Sequence, residues 1–313
     1  MVDVRDEALF SQAGDVFGRV VLVTGAGSGF GKATAIQFAK HGAKLVLGDL
    51  NADSVRATAE QIVDAGGLAV WRQCDVRQWD DQVALFEEGV TAFGGIDVVI
   101  ANAGIRETGT FMDITSDETG RPMKPVMDTL DVNLTGVLYT VRLGVYHLKR
   151  TTNNRAPHKA IILVGSMASM VGMPGGVMYT AAKTALLGLI PGLYASLNAQ
   201  GIRTGVICPW FADTGIMTES GRKLLRTTGM PFAPIGRIAG AIFKAAMDDD
   251  PDSDGCVWTV PDGGEVCRIP REHMQLIGGV YTVLNERISR TSPHKKWSDS
   301  PSPPASPISP TTN

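Results

Sequence analysis

The sequence lacks several features that would each assign it to a class of protein. Its formal net charge is only −3, so the charge balance gives no reason to expect a nucleic acid or an acidic membrane as a partner. It contains no run of about 18 apolar residues, and we therefore predict no membrane-spanning helix. The opening residues, MVDVRDEALFSQAGD, lack the apolar stretch of a secretory signal. We accordingly expect a cytoplasmic protein.

Cysteine is also scarce, and its distribution argues against two further classes. Cys74, Cys208, Cys256 and Cys267 show no paired spacing of the kind that metal sites use. They fit reduced thiols of a cytosolic protein better than a disulfide framework. No cluster of histidine, cysteine and carboxylate residues has metal-site spacing, so we expect chemistry that needs no metal ion.

Strand-like apolar runs alternate with helix-like amphipathic runs over most of the chain. The predicted strands cover residues 19–24, 43–49, 68–75, 96–104, 159–165, 201–209 and 256–264. The predicted helices cover residues 31–42, 52–67, 79–95, 124–150, 176–199 and 234–250. Buried strands that alternate with helices are typical of βαβ units with right-handed crossovers. The pattern predicts a single α/β domain built on a parallel sheet.

Four segments depart from this alternation. Residues 1–17 are predicted to form an N-terminal arm, and the polar stretch 106–123 a loop over the carboxyl edge of the sheet. Residues 269–291 are predicted as a C-terminal helical extension that packs on the domain, covers a pocket, contacts a second copy or lies on a membrane surface. Residues 292–313 are rich in serine and proline, which predicts disorder. The main domain is therefore predicted to span residues 18–268.

A glycine-rich turn, VTGAGSGFGKA at residues 23–33, joins the first predicted strand to the first predicted helix. Its glycines follow the spacing T-G-x-x-x-G-x-G. Glycine permits a tight turn and lets backbone N–H groups approach a pyrophosphate at a helix N-terminus, where the helix dipole favours negative charge. The turn predicts a dinucleotide site. Its predicted contact residues are Gly25, Ser28, Gly29, Phe30 and Gly31.

An acidic residue ends the second predicted strand. Asp49, followed by Leu50, stands at about the distance where a carboxylate reaches the adenosine ribose of a dinucleotide. A carboxylate there accepts hydrogen bonds from the ribose hydroxyls and repels a 2′-phosphate, which favours NAD over NADP. The alternative is an ordinary helix N-cap, because aspartate caps helices well and Asn51 and Asp53 are close by.

The stretch MYTAAK, residues 178–183, places a phenol one helical turn from an amine. On a helix, Tyr179 and Lys183 share a face, and a nearby cation lowers the pKa of a phenol. Such a tyrosine can exchange a proton with an alcohol or a ketone. The alternative is a coincidence of spacing. Ser166 ends a predicted strand and either holds a substrate oxygen or caps a turn. Asn133 is a poor helix former, so we expect it to open its helix locally and offer its carbonyl to a water beside the lysine.

Together these motifs resemble the short-chain dehydrogenase/reductases. The matching features, in the order and spacing of that family, are the turn at 24–31, Asp75 in CDV, NAG at 102–104, Asn133, Ser166 and the Tyr179–Lys183 pair. The resemblance covers about residues 18–268. It implies a Rossmann-like, doubly wound parallel sheet of seven strands, and an NAD(P)-dependent oxidoreductase that usually forms dimers or tetramers.

The resemblance also implies roles for individual residues. Tyr179 would be the acid/base, and Lys183 would lower its pKa and bind the nicotinamide ribose. Ser166 would orient the substrate, and Asn133 would support a water relay to Lys183. Further implied cofactor contacts are Asp75, Val76, Asn102, Ala103, Gly104, Pro209 and Thr214.

Departures from the family pattern and a group of methionines bear on the substrate. Ala101 stands where the family often has asparagine, and Trp210 follows Pro209 where the family often has glycine, so Trp210 and Phe211 make the nicotinamide end bulkier. The methionines are Met167, Met170, Met173, Met178, Met217 and Met230. Methionine suits an adaptable apolar pocket, although it also fills ordinary cores. We predict a pocket for a lipid-like, terpenoid or polyketide alcohol.

A finer resemblance comes from SDETGRPMKPVMDTLDVNLTGVLYTV together with ICPWFADT. These stretches resemble fungal members related to hydroxyprostaglandin dehydrogenases, including the hydroxyaverantin-type enzymes of polyketide pathways. The prediction is an NAD(H)-dependent oxidoreductase of secondary metabolism that interconverts a hydrophobic secondary alcohol and its ketone, in a homodimer or homotetramer. Two alternatives stay open: an NADPH-dependent ketoreductase, and a non-catalytic nucleotide-binding regulatory protein.

Overall fold

A mixed sheet runs through the centre of the molecule. The computed structural model describes residues 1–151 and 158–271. Within these ranges the strands are β1 (Val2–Val4), β2 (Val20–Thr24), β3 (Lys44–Asp49), β4 (Leu68–Gln73), β5 (Val98–Ala101), β6 (Lys159–Val164), β7 (Ile202–Pro209), β8 (Cys256–Val260) and β9 (Val266–Ile269). They form one nine-stranded sheet in the order β1-β9-β8-β7-β6-β5-β2-β3-β4.

The seven predicted strands correspond to β2 through β8, all of which pair in parallel. This confirms the Rossmann-like, doubly wound arrangement, with the strand order reversing between β2 and β5. The predicted total of seven strands is wrong, because β9 and β1 extend the β8 edge as two antiparallel strands. β9 follows β8 after a short turn in which Gly264 has a φ of 76°. These two added strands are short, and β1 pairs with a strand at the other end of the domain.

Helices cover both faces of the sheet. They are α1 (Gly29–Lys40), α2 (Ala52–Asp64), α3 (Trp79–Phe93), α4 (Asp128–Leu130), α5 (Val137–Arg150), α6 (Ala168–Val171), α7 (Val177–Asn198), α8 (Glu219–Thr228) and α9 (Ile235–Met247). On one face α1 packs between α2 and α9, and the rings of Phe38 and Phe243 lie 4.7 Å apart between their centroids. On the other face α3 packs against α5. Both rings, like Trp258 in β8, are fully buried.

The segment predicted as an N-terminal arm, residues 1–17, packs onto the domain. In β1, Val2 lies opposite Arg268 of β9. Leu9 is buried and lies against α9, where a Cβ placed on Gly240 would come within 2.9 Å of Leu9 Cδ1. The glycine therefore permits this close approach.

Several boundaries differ from the sequence-based expectation. The helix predicted over 124–150 begins at Asp128, so Pro125 belongs to the preceding loop. Around Asn133 the helix widens into a π-helical segment, Asp131–Gly136, between α4 and α5, in agreement with the expected local opening. The strand predicted over 96–104 ends at Ala101, because the chain turns away from the sheet there.

Helix α8 was not predicted, although its ends carry recognisable signals. The Thr218 side chain caps the helix by accepting the N–H of Gly221 at 3.0 Å. Gly229 follows the last residue with a left-handed φ of 69°.

Ile269, the first residue of the predicted helical extension over 269–291, ends β9. From residue 272 onward the extension lies outside the described residues, as do the predicted disordered tail over 292–313 and the membrane contact considered for the extension. No helix in the described ranges combines the length and the apolar character needed to cross a bilayer. These same ranges hold no group of three or more histidine, cysteine or carboxylate side chains suited to a metal ion.

Candidate active site

A cleft of about 740 Å³ runs along the carboxyl ends of the central parallel strands. This is where open parallel sheets bind ligands, because loops leave in opposite directions at the reversal of strand order. Most of the residues predicted to hold a dinucleotide line this one cleft. They are Gly25, Ser28, Gly29, Phe30, Asp49, Leu50, Asp75, Val76, Asn102, Ala103, Gly104, Tyr179, Lys183 and Thr214.

The glycine-rich turn between β2 and α1 is held by Asn102. Its side-chain amide donates to the carbonyl oxygens of Thr24 at 2.9 Å and Gly25 at 3.2 Å. Gly25 has a φ of 67°, and a Cβ there would lie 2.8 Å from the Ala103 Cα. A Cβ on Gly31 would collide with the carbonyl oxygen of Gly25. The backbone is therefore packed too closely for side chains and presents a bare helix N-terminus to the cleft, which fits a pyrophosphate.

Asp49 lies at the end of β3 and faces the glycine turn. Its carboxylate accepts the N–H of Gly27 and the N–H of Asn51, both at 2.9 Å. The cap of α2 is Asn51, whose side chain accepts the N–H of Ser54 at 3.0 Å. The alternative role of Asp49 as the helix cap is therefore wrong, and its carboxylate is available to a ligand in the cleft.

Asp75 follows β4 and forms an ion pair that the sequence did not reveal. Arg77 Nη2 lies 2.7 Å from Asp75 Oδ2 and Arg77 Nη1 lies 3.7 Å from Asp128 Oδ1. The hydrogen bond from Arg77 lowers the pKa of Asp75. The carboxylate thus stays ionised and fixed beside the cleft. The sequence shows a basic residue two positions after Asp75, but it does not show which carboxylates this residue contacts.

Ser166, Tyr179 and Lys183 meet where β6 ends and α7 begins. The Ser166 side chain is a hydrogen-bonding neighbour of the Tyr179 hydroxyl that lowers its pKa, and Ser166 Oγ accepts the N–H of Ala168 at 3.1 Å. Lys183 is 4% exposed, donates to the carbonyl oxygen of Val164 at 2.8 Å, and has its Nζ 5.8 Å from the Tyr179 ring centroid. Ser169 holds the same corner by donating to the carbonyl oxygen of Lys183 at 2.8 Å. The phenol and the amine therefore occupy fixed positions on one helix face.

The pKa shifts in this cluster differ from the sequence-based expectation. Burial raises the pKa of Tyr179, and the hydrogen bond with Ser166 acts only partly against it. Burial also lowers the pKa of Lys183 from 10.5 to about 8. The expected lowering of the phenol pKa by Lys183 is therefore not the net result in the protein itself, because loss of water around the phenol raises its pKa more than Ser166 lowers it.

Asn133 lies in the π-helical segment, fully buried, and faces the chain that leaves β5. Its side chain accepts the N–H of Ile105 and donates to the carbonyl oxygen of Ile105, both at 2.8 Å. A Cβ on Gly104 would lie 3.1 Å from Asn133 Oδ1 and 3.4 Å from Lys183 Nζ. Gly104 thus lets the asparagine and the lysine approach the same point of the cleft.

Some predicted residues do not line the cleft. The residues absent from its lining are Gly31, Pro209, Ser166 and Asn133. Trp210 packs against the core instead of narrowing the nicotinamide end. The six methionines proposed for an adaptable pocket are likewise not among the residues that line this cleft.

Other functional contacts were missed because they join distant segments. Buried Gln82 donates to the carbonyl oxygens of Val76 at 2.6 Å and Gly136 at 2.9 Å, which ties the loop after β4 to the π-helical segment. The Glu107 carboxylate accepts the backbone N–H of Tyr179 at 2.6 Å. No local pattern marks either residue, although the lack of a capping side chain before α7 was visible in the sequence.

The chain is similar to proteins of known family. A family model described as short chain dehydrogenase matches residues 19–224. Short-chain dehydrogenase/reductase ascJ of Acremonium egyptiacum is 33% identical over 227 residues, which cover 72% of this chain and 74% of that protein. Cis-4-hydroxycyclohexanecarboxylate dehydrogenase of Sinomonas cyclohexanicum is 33% identical over 221 residues, which cover 71% of this chain and 84% of that protein.

A solved structure shares the fold. The 3-ketoacyl-(acyl-carrier-protein) reductase from Brucella melitensis, complexed with NADH, matches with a TM-score of 0.67 and 27% sequence identity. The match covers 79% of this chain and 98% of that one. Of the relatives named, one is fungal and another bacterial, so the fungal subgroup suggested by the sequence stays a prediction.

Proposed function

This chain belongs to the short-chain dehydrogenase family of oxidoreductases, and we propose that it interconverts a hydrophobic secondary alcohol and its ketone with NAD(H). The observation that carries the proposal is the cluster of Ser166, Tyr179 and Lys183 at the edge of the dinucleotide cleft. The same cluster argues against a non-catalytic regulatory protein, because such a protein needs the cleft but not the hydrogen-bonded phenol.

Residues of the protein transfer the proton of the reaction. Ser166 holds the substrate oxygen beside the Tyr179 hydroxyl, and Tyr179 accepts the alcohol proton or returns it to the ketone. Lys183, held by the Val164 carbonyl, lines the cleft and would bind the nicotinamide ribose of a dinucleotide there. A bound nicotinamide dinucleotide would supply the hydride acceptor or donor, and its oxidised form adds a positive charge that favours the phenolate.

Apolar side chains around the opening support a hydrophobic substrate. Ile105, Val132, Val164 and Ile216 line the cleft near the catalytic residues. The loop of residues 106–127 begins in the cleft lining at Arg106, and the chain returns to the cleft at Asp128. It exposes the large apolar side chains of Phe111, Met112, Ile114, Met123, Val126 and Met127. A loop of this kind offers an apolar surface to a sizeable substrate.

A substrate panel tests the proposed function. Purified protein is assayed with NAD⁺ and hydrophobic secondary alcohols, small aliphatic alcohols or sugars, and with NADH and the matching ketones. We expect turnover on the hydrophobic substrates. Because burial raises the pKa of Tyr179, its phenolate fraction is still growing above neutral pH. Oxidation should therefore accelerate and reduction should slow as pH rises. A preference for small polar sugars would contradict the substrate class, and absence of turnover on every substrate would contradict the enzyme.

The cofactor preference can be tested at Asp49. Replacing it with serine should shift the ratio of the NADPH and NADH dissociation constants toward NADPH by at least about tenfold, because a carboxylate beside a 2′-phosphate costs several kcal/mol. NADH affinity should weaken, since Asp49 also holds the Gly27 N–H. Fluorescence titration with each dinucleotide measures the ratio.

Asp53→Ser is the matched control for this experiment. Asp53 lies in the first turn of α2, where its exposed carboxylate pairs with Arg56 at 2.7 Å. This change should leave the ratio as it is in the wild type. An unchanged ratio in Asp49→Ser would favour the NADPH-dependent ketoreductase over the NAD-dependent enzyme.

We further propose that residues 18–268 form the catalytic domain and that the protein assembles as a homodimer or homotetramer in the cytoplasm. The family model, which begins at residue 19 and ends at residue 224, supports the N-terminal boundary. Exposed apolar side chains on α5, at Leu138 and Tyr146, are consistent with contact between copies. Secondary metabolism as the setting rests on the sequence resemblance alone.

A further inference from the structure

Helix α7, which carries Tyr179 and Lys183, starts without a capping side chain of its own. It begins at Val177, its N-cap residue Gly176 offers no side chain, and its first turn contains no acidic residue. The first N–H groups of a helix have no partner within the helix and carry part of its positive dipole. Some group from outside the helix must satisfy them when they are shielded from water.

Glu107, from the loop after β5, supplies that group. Its Oε1 accepts the N–H of Met178 at 3.1 Å and its Oε2 accepts the N–H of Tyr179 at 2.6 Å. Hydrogen bonds to an ionised acceptor are shorter and stronger than neutral ones. One carboxylate therefore binds the backbone N–H groups of both the catalytic tyrosine and the residue before it.

The segment that carries Glu107 is fixed on its other side. The buried Thr129 side chain bonds with the N–H and the hydroxyl of Thr108, both at 3.0 Å, and with the carbonyl oxygen of Arg106 at 3.3 Å. One residue earlier, Ile105 is held by Asn133 through both its N–H and its carbonyl. Residues 105–108 thus form a brace. One side of it is anchored to α4 and to the π-helical segment, and the other side to Tyr179.

We propose that Glu107 is a positioning residue that sets the place of Tyr179 relative to Ser166 and the substrate. The proposal rests on the proposed function, because it assigns Glu107 its role through the acid/base Tyr179. With the Tyr179 N–H held, the phenol moves only about its own side-chain torsions. The brace also links the loop of residues 106–127 to α7, so a substrate that orders this loop acts on the position of the phenol. A displacement of about 1 Å in a reacting group can cost 10²-fold in rate.

The test compares two variants of Glu107 in the full-length protein. Glu107→Gln keeps the shape and one acceptor oxygen, whereas Glu107→Ala removes both bonds. We expect turnover with the best alcohol to fall about 10–100-fold in Glu107→Ala and less in Glu107→Gln. The NADH dissociation constant should stay the same, because the glycine turn and Asp49 are untouched. Amide hydrogen exchange over residues 177–183 should accelerate in the same order.

Glu118→Gln is the matched control, since Glu118 is an exposed glutamate of the same loop. It should change neither turnover nor exchange. Unaltered turnover in Glu107→Ala, or an acceleration of exchange spread equally over the whole domain, would overturn the positioning role. A wild-type protein without turnover would overturn the proposed function instead, and exchange over 177–183 would still decide whether Glu107 holds the helix.

Discussion

Replacement of Tyr179 by phenylalanine should lower turnover by about 10²–10⁴-fold, the usual worth of a positioned acid or base. Phenylalanine keeps the ring and removes only the hydroxyl that bonds with Ser166. The variant then has no group at this point to take or return the substrate proton. NADH affinity should stay the same, because Asp49 and the glycine turn are unchanged. Steady-state kinetics and NADH titration measure the two quantities separately.

The same change at Tyr146 provides the control. Tyr146 is 50% exposed on α5, with its ring 4.1 Å from the guanidinium carbon of Arg150. Its replacement by phenylalanine should leave turnover as it is in the wild type. Wild-type turnover in Tyr179→Phe would remove this hydroxyl from the mechanism.

Gly31→Ala is expected to have the largest effect on the cofactor site. The new Cβ would collide with the Gly25 carbonyl and lie 2.5 Å from Asn102 Nδ2, the amide that holds the turn. Overpacking of a tight site typically costs about 1–3 kcal/mol, and we expect the free energy of unfolding to fall by that amount. NADH affinity should fall by at least about tenfold, because the displaced turn no longer presents its N–H groups to a pyrophosphate.

Urea denaturation and NADH titration check both parts of this prediction, with Gly236→Ala as the control. Gly236 lies exposed in α9, and a Cβ placed there would meet no atom within 4 Å. Alanine in an exposed helix is favoured over glycine by roughly 0.5–1 kcal/mol, so the control should be slightly stabilised. If Gly31→Ala were as stable as the wild type, the turn would be looser than its packing indicates.

The main elements of the fold follow from local sequence. An amphipathic helix lies next to each apolar run from β2 to β8. Such apolar runs are typical of buried parallel strands, because both faces of these strands are covered. Strand β1 escaped prediction because it is short and pairs with β9, far away in the chain, and β9 because it has only four residues. Helix α8 was missed although Thr218 and Gly229 mark its ends.

Some residues of the site could likewise be predicted from local sequence, and others could not. The glycine turn, Asp49 and the Tyr179–Lys183 pair could be predicted because their chemistry requires fixed spacings within one segment. Glu107 and Arg77 could not, since each acts through a contact that only the folded chain creates. The pKa of Tyr179 was predicted in the wrong direction for the protein alone, because spacing reports the neighbouring charge but not the loss of water.

The position of β1 has a consequence for the order of events during synthesis. During synthesis this strand leaves the ribosome long before its partner, because Val4 pairs with Val266. The segment must therefore wait, unpaired, until almost the whole domain has been translated, and the contact that it then forms spans nearly the full sequence. Such distant pairings are slow to form, so docking of the N-terminal segment is the natural final step of folding. A fusion partner attached ahead of Val2 would therefore have to leave room for β1 to pair with β9 at that step.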